Sequence, residues 1–359
     1  MGKARTLAQV YRRFGEVEAA GTSPLYERVA VALSESGEAL RAIETGPARK
    51  RHPTVILAAL HDLALAGRAP ELAAAYAAAD GDAAAGAAVG TLLRMTGAVV
   101  AIAVRRPVRT YETVRCAVLY PAIAEAAARL GADAAGLIDV GGSAGLNLST
   151  DRVGITYSNG QSLGDPSSPV QLSSSVAGDR PLPARAMPEV VARIGVGPDP
   201  FDVTDAAQAR WLRACLWPGQ PERSAGLEAA IALAATAPPQ LLHGDAAELL
   251  PGAFARVPAG ALPVVITTWA LSSLPPASRQ GFLHRLGEAA AGRTVAWVSV
   301  EGVGVAPSVP TLGDRRASGH SIIGLAVPGP AVPGQPALRA EAIGRCWSRG
   351  RFLAWLAGS

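Results

Sequence analysis

The hydrophobic pattern changes at Gly131, and this change limits the folds that the chain can adopt. Before it, apolar residues recur at helical spacing, as Leu25, Val29 and Leu33 do. After it, short apolar runs alternate with helical segments. The predicted strands are 134–140, 187–196, 238–245, 261–271 and 293–302. Strands that alternate with helices predict an α/β fold with a doubly wound, mostly parallel sheet.

The chain therefore divides into an N-terminal all-helical domain, residues 1–130, and an α/β domain, residues 131–359. Roughly forty residues separate the first two strand candidates, more than one crossover helix needs, so we expect an insertion at about 147–187. The segment 303–340 is rich in proline and glycine and predicts loops with an edge hairpin. The segment 341–357 fits a strand or a helix equally well.

The basic residues are almost all arginines. Only Lys3 and Lys50 are lysines among 33 basic residues, and the net charge is +4. Arginine binds carboxylate, sulfate and phosphate through two hydrogen bonds, which favours a small anionic substrate. Aromatic residues make up 5% of the chain and the arginines are scattered among acids, so we predict no nucleic-acid partner.

Membrane and metal binding are also disfavoured. The most apolar stretch, residues 83–104, has Arg94 in its middle, where a membrane span would not place it. The three cysteines are far apart and have no histidine close in sequence, so we predict no metal site. A sparse, odd number of cysteines fits a cytoplasmic protein.

A glycine-rich loop follows the first predicted strand, in the sequence Asp139-Val-Gly-Gly-Ser-Ala-Gly145. Glycines at this place allow a sharp turn and a close approach to a ligand, and a helix beginning after the loop would offer free N–H groups. The candidate ligand contacts are Asp139, Gly141, Gly142, Ser143, Gly145 and Asn147. Asn147 either touches a ligand or caps that helix, and Asp139 either touches it or anchors the loop.

An acid before such a loop resembles the first motif of class I S-adenosylmethionine (SAM)-dependent methyltransferases. The resemblance implies that Asp199, or alternatively Asp202, holds the ribose of SAM. It also implies that Asp245 lies beside the adenine, although Asp245 can instead cap the next helix. Ser143 and Gly197 differ from the family pattern, and they favour an enzyme that does not use SAM.

Further candidates surround the expected site. Arg109 and Arg115, with Glu112 between them, are part of the densest basic region, which forms either an anion site or a solvated helix face. His243 is a general base or a structural histidine. The remaining candidates for substrate binding are Trp269 and Ser272 after the fourth strand, and Tyr157 in the insertion, which either reaches over the pocket or packs in the core.

The loop also has the Gly-x-Ser-x-Gly spacing of a hydrolase nucleophile elbow, centred on Ser143. A catalytic triad would then need a late histidine, and His284 and His320 follow in the chain.

Over nearly its full length the chain is similar to an actinobacterial family of uncharacterised proteins, known chiefly as a domain of unknown function. The segments that carry this resemblance are GTSPLYERVA, RTYETVRCAVLYPAI, DVGGSAGLNL, PFDVTDAAQARWLRACLWPGQPER and CWSRGRFLAWL. Relatives of such families occur in natural-product gene clusters, where one known type of reaction is aziridine ring closure by sulfate elimination.

Three functions follow as hypotheses. The first is a SAM-dependent transferase that acts on a small molecule, with SAM held by the acids named above. The second is a SAM-independent elimination or ring closure of an anionic substrate, in which arginines stabilise the leaving anion and an acid or His243 takes a proton. The third is a non-catalytic subunit that binds a partner protein.

Overall fold

The computed structural model describes residues 5–109, 112–141, 145–290, 292–329 and 337–357. The chain forms two compact units. A helical unit comprises Met1–Tyr111 and Asp205–Glu228, and a sheet unit comprises Glu112–Thr204 and Ala229–Ser359. This division differs from the predicted boundary at residue 130, because the last helix before the sheet packs on the strands and residues 205–228 return to the helical unit.

Twelve α-helices occur in the described ranges. They are α1 (Leu7–Arg13), α2 (Pro24–Glu35), α3 (Gly37–Glu44), α4 (Pro53–Leu65), α5 (Pro70–Ala77), α6 (Gly81–Arg94), α7 (Thr96–Arg105), α8 (Cys116–Leu130), α9 (Ala206–Cys215), α10 (Pro221–Ala235), α11 (Ala246–Phe254) and α12 (Pro276–Ala290).

Eleven strands form one sheet in the same ranges. They are β1 (Ala134–Val140), β2 (Gly154–Tyr157), β3 (Ser162–Gly164), β4 (Gln171–Val176), β5 (Glu189–Gly197), β6 (Gln240–His243), β7 (Leu262–Thr268), β8 (Ala296–Gly302), β9 (Ser321–Pro328), β10 (Leu338–Trp347) and β11 (Phe352–Trp355).

The helical unit is built around α4, which is buried on most of its surface and contacts α5, α7 and α9. Helix α2 begins at a cap typical of a Ser-Pro sequence: Ser23 accepts a hydrogen bond from the backbone N–H of Tyr26, with Pro24 in the first turn. No single helix among the described residues is long and apolar enough to cross a membrane. Helices α6 and α7 together have the length and composition, but they meet at 90°.

The sheet order is β3-β2-β4-β11-β10-β9-β8-β7-β1-β5-β6. Five neighbouring strands, β8, β7, β1, β5 and β6, are parallel to one another, and β9 runs antiparallel to β8. This confirms the prediction of an α/β fold with a mostly parallel sheet. Helix α8 packs against β8 and β9, and α11 contacts β5 and α12. Phe254, Phe282 and Trp297 lie in the core that α11 and α12 share with the sheet.

Two local expectations were wrong. The chain after the glycine loop forms a 3-10 turn, Leu146–Arg152, rather than an α-helix, and then β2, β3 and β4 at the far edge of the sheet. The hairpin expected at an edge within 303–340 is β9 with β10, and it lies inside the sheet because β11, β4, β2 and β3 extend beyond it. The segment 341–357, whose sequence fits a strand or a helix equally well, is mainly strand.

Candidate functional site

The strand order reverses its direction between β1 and β7. From β1 the chain proceeds to β5 and β6 on one side, and then to β7 and β8 on the other. In open α/β sheets, ligands bind beyond the carboxyl ends of the strands at such a point. Asp139 is the penultimate residue of β1 and Thr268 is the last residue of β7, so both lie at this place.

Side chains from four parts of the chain meet there. The amide Nδ2 of Asn147 lies 3.3 Å from Asp139 Oδ2 and 3.1 Å from Thr268 Oγ1. Nη1 of Arg115 donates to the same Thr268 oxygen at 3.3 Å. The guanidinium carbon of Arg115 lies 4.9 Å from the ring centroid of Trp269. We call these five residues the switch-point cluster.

Asp139 is a buried acid, with 1% of its surface exposed. Burial raises its pKa to about 7, although the hydrogen bond from Asn147 and the charge of Arg115 both act to lower it. Both protonation states are therefore populated near neutral pH. A carboxyl group with a pKa close to the working pH is suited to general acid–base chemistry.

Arg115 supplies a buried positive charge, since 7% of the surface of this residue is exposed. Its pKa is lowered from the ordinary value by burial and by the charge of Arg349, an exposed residue that follows β10. Two arginines close enough to affect one another lie at the same edge of the sheet. An anion placed between the two charges would relieve their repulsion.

Trp269 has a backbone conformation that is rare for a bulky residue, with φ +54°. Its N–H donates to the carbonyl of Val300 at 2.9 Å, and its indole Nε1 donates to Ser321 Oγ at 2.8 Å. Strained residues that several contacts hold in place are concentrated at functional sites. The strain thus marks the loop after β7 as part of the site.

Glu301 fixes the turn that follows Trp269. It lies at the end of β8, is 1% exposed, and its Oε1 accepts from the N–H of Leu271 at 3.0 Å. Burial raises the pKa of Glu301 to about 7, and hydrogen bonds from the backbone of Leu271, Ala270 and Ser272 act to lower it. The sequence analysis missed this residue, although an acid within the apolar run 293–302 was a usable signal.

A second polar group lies where β9 begins. His320 Nε2 lies 2.9 Å from Asp314 Oδ2, and Arg345 Nε donates to the same oxygen at 2.6 Å. The ring of His320 packs against Trp347, with centroids 5.3 Å apart. The antiparallel direction of β9 brings its first residues to the carboxyl end of β8, which local sequence could not predict.

The glycine loop is described in part. Gly141 has φ +83°, its N–H donates to the carbonyl of Val196 at 2.8 Å, and a Cβ there would lie 2.8 Å from Ala270 Cβ. Gly145 has φ +64°. The predicted contacts Gly142 and Ser143 lie outside the described residues.

Three of the predicted polar residues are at the surface. Asp199, His243 and Asp245 are exposed, and Asp245 accepts hydrogen bonds from the backbone of Ala247 and Glu248 as the cap of α11. Gly197 stands at the end of β5 in place of an acid. None of the three acts on the switch-point cluster through a contact that the described ranges show.

The substrate candidates are spread more widely. Ser272 is exposed, and its hydroxyl donates to the carbonyl of Trp269 at 2.7 Å. Tyr157 is 2% exposed and its hydroxyl donates to the carbonyl of Ala117 at 2.7 Å, so it supports α8. Glu112 is half-buried, and its charge opposes the lowering of the Arg115 pKa that burial and Arg349 cause. Arg109 belongs to the helical unit.

The family model described as "Uncharacterized protein conserved in bacteria (DUF2332)" matches residues 8–355. No curated protein and no solved structure is significantly similar to the chain. Within the described ranges, no group of three or more histidine, cysteine or acidic residues is placed to hold a metal ion.

Proposed function

Because the chain belongs to this bacterial DUF2332 family, whose description names no activity, we propose a function from the switch-point cluster itself. The protein is an enzyme that binds a small anionic molecule at the carboxyl edge of the sheet and moves a proton at Asp139. The observation that carries this proposal is the hydrogen-bonded path from Asp139 through Asn147 and Thr268 to Arg115 at the point where the strand order reverses.

The anionic part of the substrate pairs with Arg115 and Arg349. Trp269 packs against one face of the Arg115 guanidinium, and a guanidinium group is the side chain best suited to bind sulfate, phosphate or carboxylate through parallel hydrogen bonds. Removal from water strengthens both the stacking and the ion pair.

The reaction class that fits is an elimination or ring closure. Asp139 in its charged form takes a proton from the attacking nitrogen or oxygen of the substrate, and the electron pair of that atom forms the new bond. The bond to the leaving group breaks, and the leaving anion departs with the bonding pair towards Arg115. Closure of an aziridine with loss of sulfate is one example of this class. Burial, which places the pKa of Asp139 near 7, also keeps bulk water from the carboxyl group.

A SAM-dependent transferase is the second candidate. The strand order β6-β5-β1-β7-β8, the acid at the end of β1 and the positive φ of Gly141 favour it. Three observations place it second: Gly197 occupies the end of β5, Asp245 is engaged as a helix cap, and a 3-10 turn follows the loop where an α-helix would offer free N–H groups.

Calorimetric titration of the purified full-length protein with sodium sulfate, SAM and S-adenosylhomocysteine tests the two candidates. We expect sulfate to bind, and the exposed variant R349Q to weaken this binding about tenfold, as the loss of one charge-assisted contact does. The variant R285Q, which removes an exposed arginine on α12, should bind sulfate as the wild type does.

SAM binding at micromolar strength, about −8 kcal/mol, would instead support the transferase. Absence of sulfate binding in the wild type would contradict the anion site. Equal losses in R349Q and R285Q would show a general effect of charge and contradict it as well.

A further inference from the structure

The turn between β10 and β11 has a rare backbone conformation. Three successive residues have positive φ: Ser348 at +47°, Arg349 at +58° and Gly350 at +105°. Turns with positive φ prefer glycine, asparagine or aspartate, because larger side chains crowd the backbone there. Serine and arginine therefore occupy a conformation that the local sequence does not favour, and the surrounding structure has to hold it.

Strand β4 holds this turn from one side. The hydroxyl of Ser174, a residue that is 5% exposed, donates to the carbonyl of Gly350 at 2.7 Å. The N–H of Ser175 donates to the carbonyl of Arg351 at 2.8 Å. Two successive carbonyl groups at the end of the turn are thus fixed to two successive residues of β4.

The residue before Arg115 holds the turn from the other side. Gly350 is buried, and a Cβ on it would lie 2.7 Å from the carbonyl oxygen of Val114. Glycine allows two backbones to approach this closely because it has no Cβ. The turn is therefore packed directly against the segment that carries Arg115, and a shift of the turn would move Arg349 relative to Arg115.

The side chain that this turn carries is charged. Arg349 is exposed, no acid pairs with it in the described part of the chain, and its charge lowers the pKa of Arg115. A strained turn that brings two like charges together costs stability, so the needs of the fold do not explain it. Strained residues that several contacts hold in place are typical of ligand clamps.

We propose that Ser174 is a positioning residue for the anion site: its hydrogen bond to Gly350 fixes the turn 348–350 so that Arg349 meets the same anion as Arg115. This inference rests on the proposed function, because it assigns the support of the second arginine of that site. Ser174 does not contact the anion and acts through Arg349.

The variants S174A, R349Q and S174A/R349Q test the proposal by calorimetric titration of the full-length proteins with sodium sulfate. We expect S174A to weaken sulfate binding about fivefold, less than the roughly tenfold loss in R349Q, because the guanidinium is displaced but still present. In the R349Q background, S174A should change the affinity by less than about twofold, since the side chain through which it acts is gone.

The control variant is S168A. It removes another buried serine hydroxyl, which accepts a hydrogen bond from the N–H of Val170 at 3.1 Å in the loop before β4. We expect S168A to lose stability in urea, as S174A does, but to bind sulfate as the wild type does.

If R349Q weakens sulfate binding and S174A does not, the proposed function stands and this inference is wrong. The inference is also wrong if S174A weakens binding equally with and without Arg349, or if S168A weakens binding as much as S174A. In both cases the loss does not pass through the arginine. A wild-type protein that binds no sulfate would contradict the proposed function and this inference together.

Discussion

The guanidinium group of Arg115 lies over the indole ring of Trp269, 4.9 Å from its centroid. This contact joins the residue that precedes α8 to the loop that follows β7, and the same indole is tied to the start of β9 through Ser321. The position of the positive charge thus depends on a residue with a strained backbone, and that residue is held by the hydrogen bonds that it donates to two further strands.

We predict that the variants W269F and S321A both remove the hydrogen bond between the indole of Trp269 and the hydroxyl of Ser321. Each removes one partner of the 2.8 Å hydrogen bond, and W269F keeps a ring beneath Arg115. In urea unfolding, the free-energy loss of the double variant should fall short of the summed single losses by about 1 kcal/mol. Additive losses would show that this hydrogen bond does not stabilise the fold.

The variant D139N should change how stability depends on pH. Between about pH 4 and 7 the folded protein holds a proton on Asp139 that the unfolded chain has lost, because the folded pKa is about 7 and the ordinary value 3.8. The contribution of Asp139 to the free energy of unfolding therefore declines across this window, by about 4 kcal/mol, and is fully present only below it.

Asparagine carries no charge at any pH, so D139N should gain stability relative to the wild type as the pH rises from 5 to 8. Urea unfolding at both pH values measures this difference, and D179N, a change at an exposed acid, serves as the control. A constant difference between D139N and the wild type would mean that the folded pKa of Asp139 is near its ordinary value. Under the proposed function, D139N also loses activity while it still binds sulfate.

Gly141 and Gly178 form a matched pair, since their φ angles are +83° and +84°. A Cβ at Gly178 meets nothing within 4 Å, whereas one at Gly141 would lie 2.8 Å from Ala270 Cβ. We expect G178A to cost about 1–2 kcal/mol of unfolding free energy from the backbone alone, and G141A to cost a further 1–3 kcal/mol from crowding. The double variant G141A/A270G should recover the second part. Equal costs for G141A and G178A would contradict this close approach.

Tyr157 gives a prediction that separates support of the fold from contact with substrate. Its hydroxyl donates to the carbonyl of Ala117 within the core, so Y157F leaves a buried acceptor without that donor. We expect a loss of about 1–3 kcal/mol in thermal or urea unfolding, with sulfate binding unchanged. If Y157F weakens sulfate binding without loss of stability, Tyr157 belongs to the anion site.

Strands were the most predictable part of the fold. Strand β1 has the predicted bounds 134–140, and β7 and β8 lie within the predicted runs 261–271 and 293–302, because an apolar run between turn residues is a local signal. Caps such as Ser23 are local too. The 3-10 turn after the glycine loop was missed because nothing in its seven residues indicates that the chain must cross to the far edge of the sheet.

The candidate site was also predictable only in part, because local sequence marks some of its residues and distant parts of the chain supply the others. Asp139 and Asn147 are close in sequence, and the glycine loop between them marks both. Thr268, Ser321 and His320 become neighbours of the site through strand pairing, which depends on the whole sheet. The acids at 199 and 245 follow strand ends as a cofactor pattern requires, but the same local sequence gives an exposed position and a helix cap.

The return of residues 205–228 to the helical unit has a consequence for synthesis on the ribosome. Helix α9 contacts α4, and Trp211 of α9 donates its indole N–H to the carbonyl of Pro107. A nascent chain that ends before α9 therefore lacks part of the core around α4, although it already contains β1 to β5. The helical unit begins to emerge first, but it can complete its core only after β1 to β5 of the sheet unit have been made, so the two units are synthesised in an overlapping order.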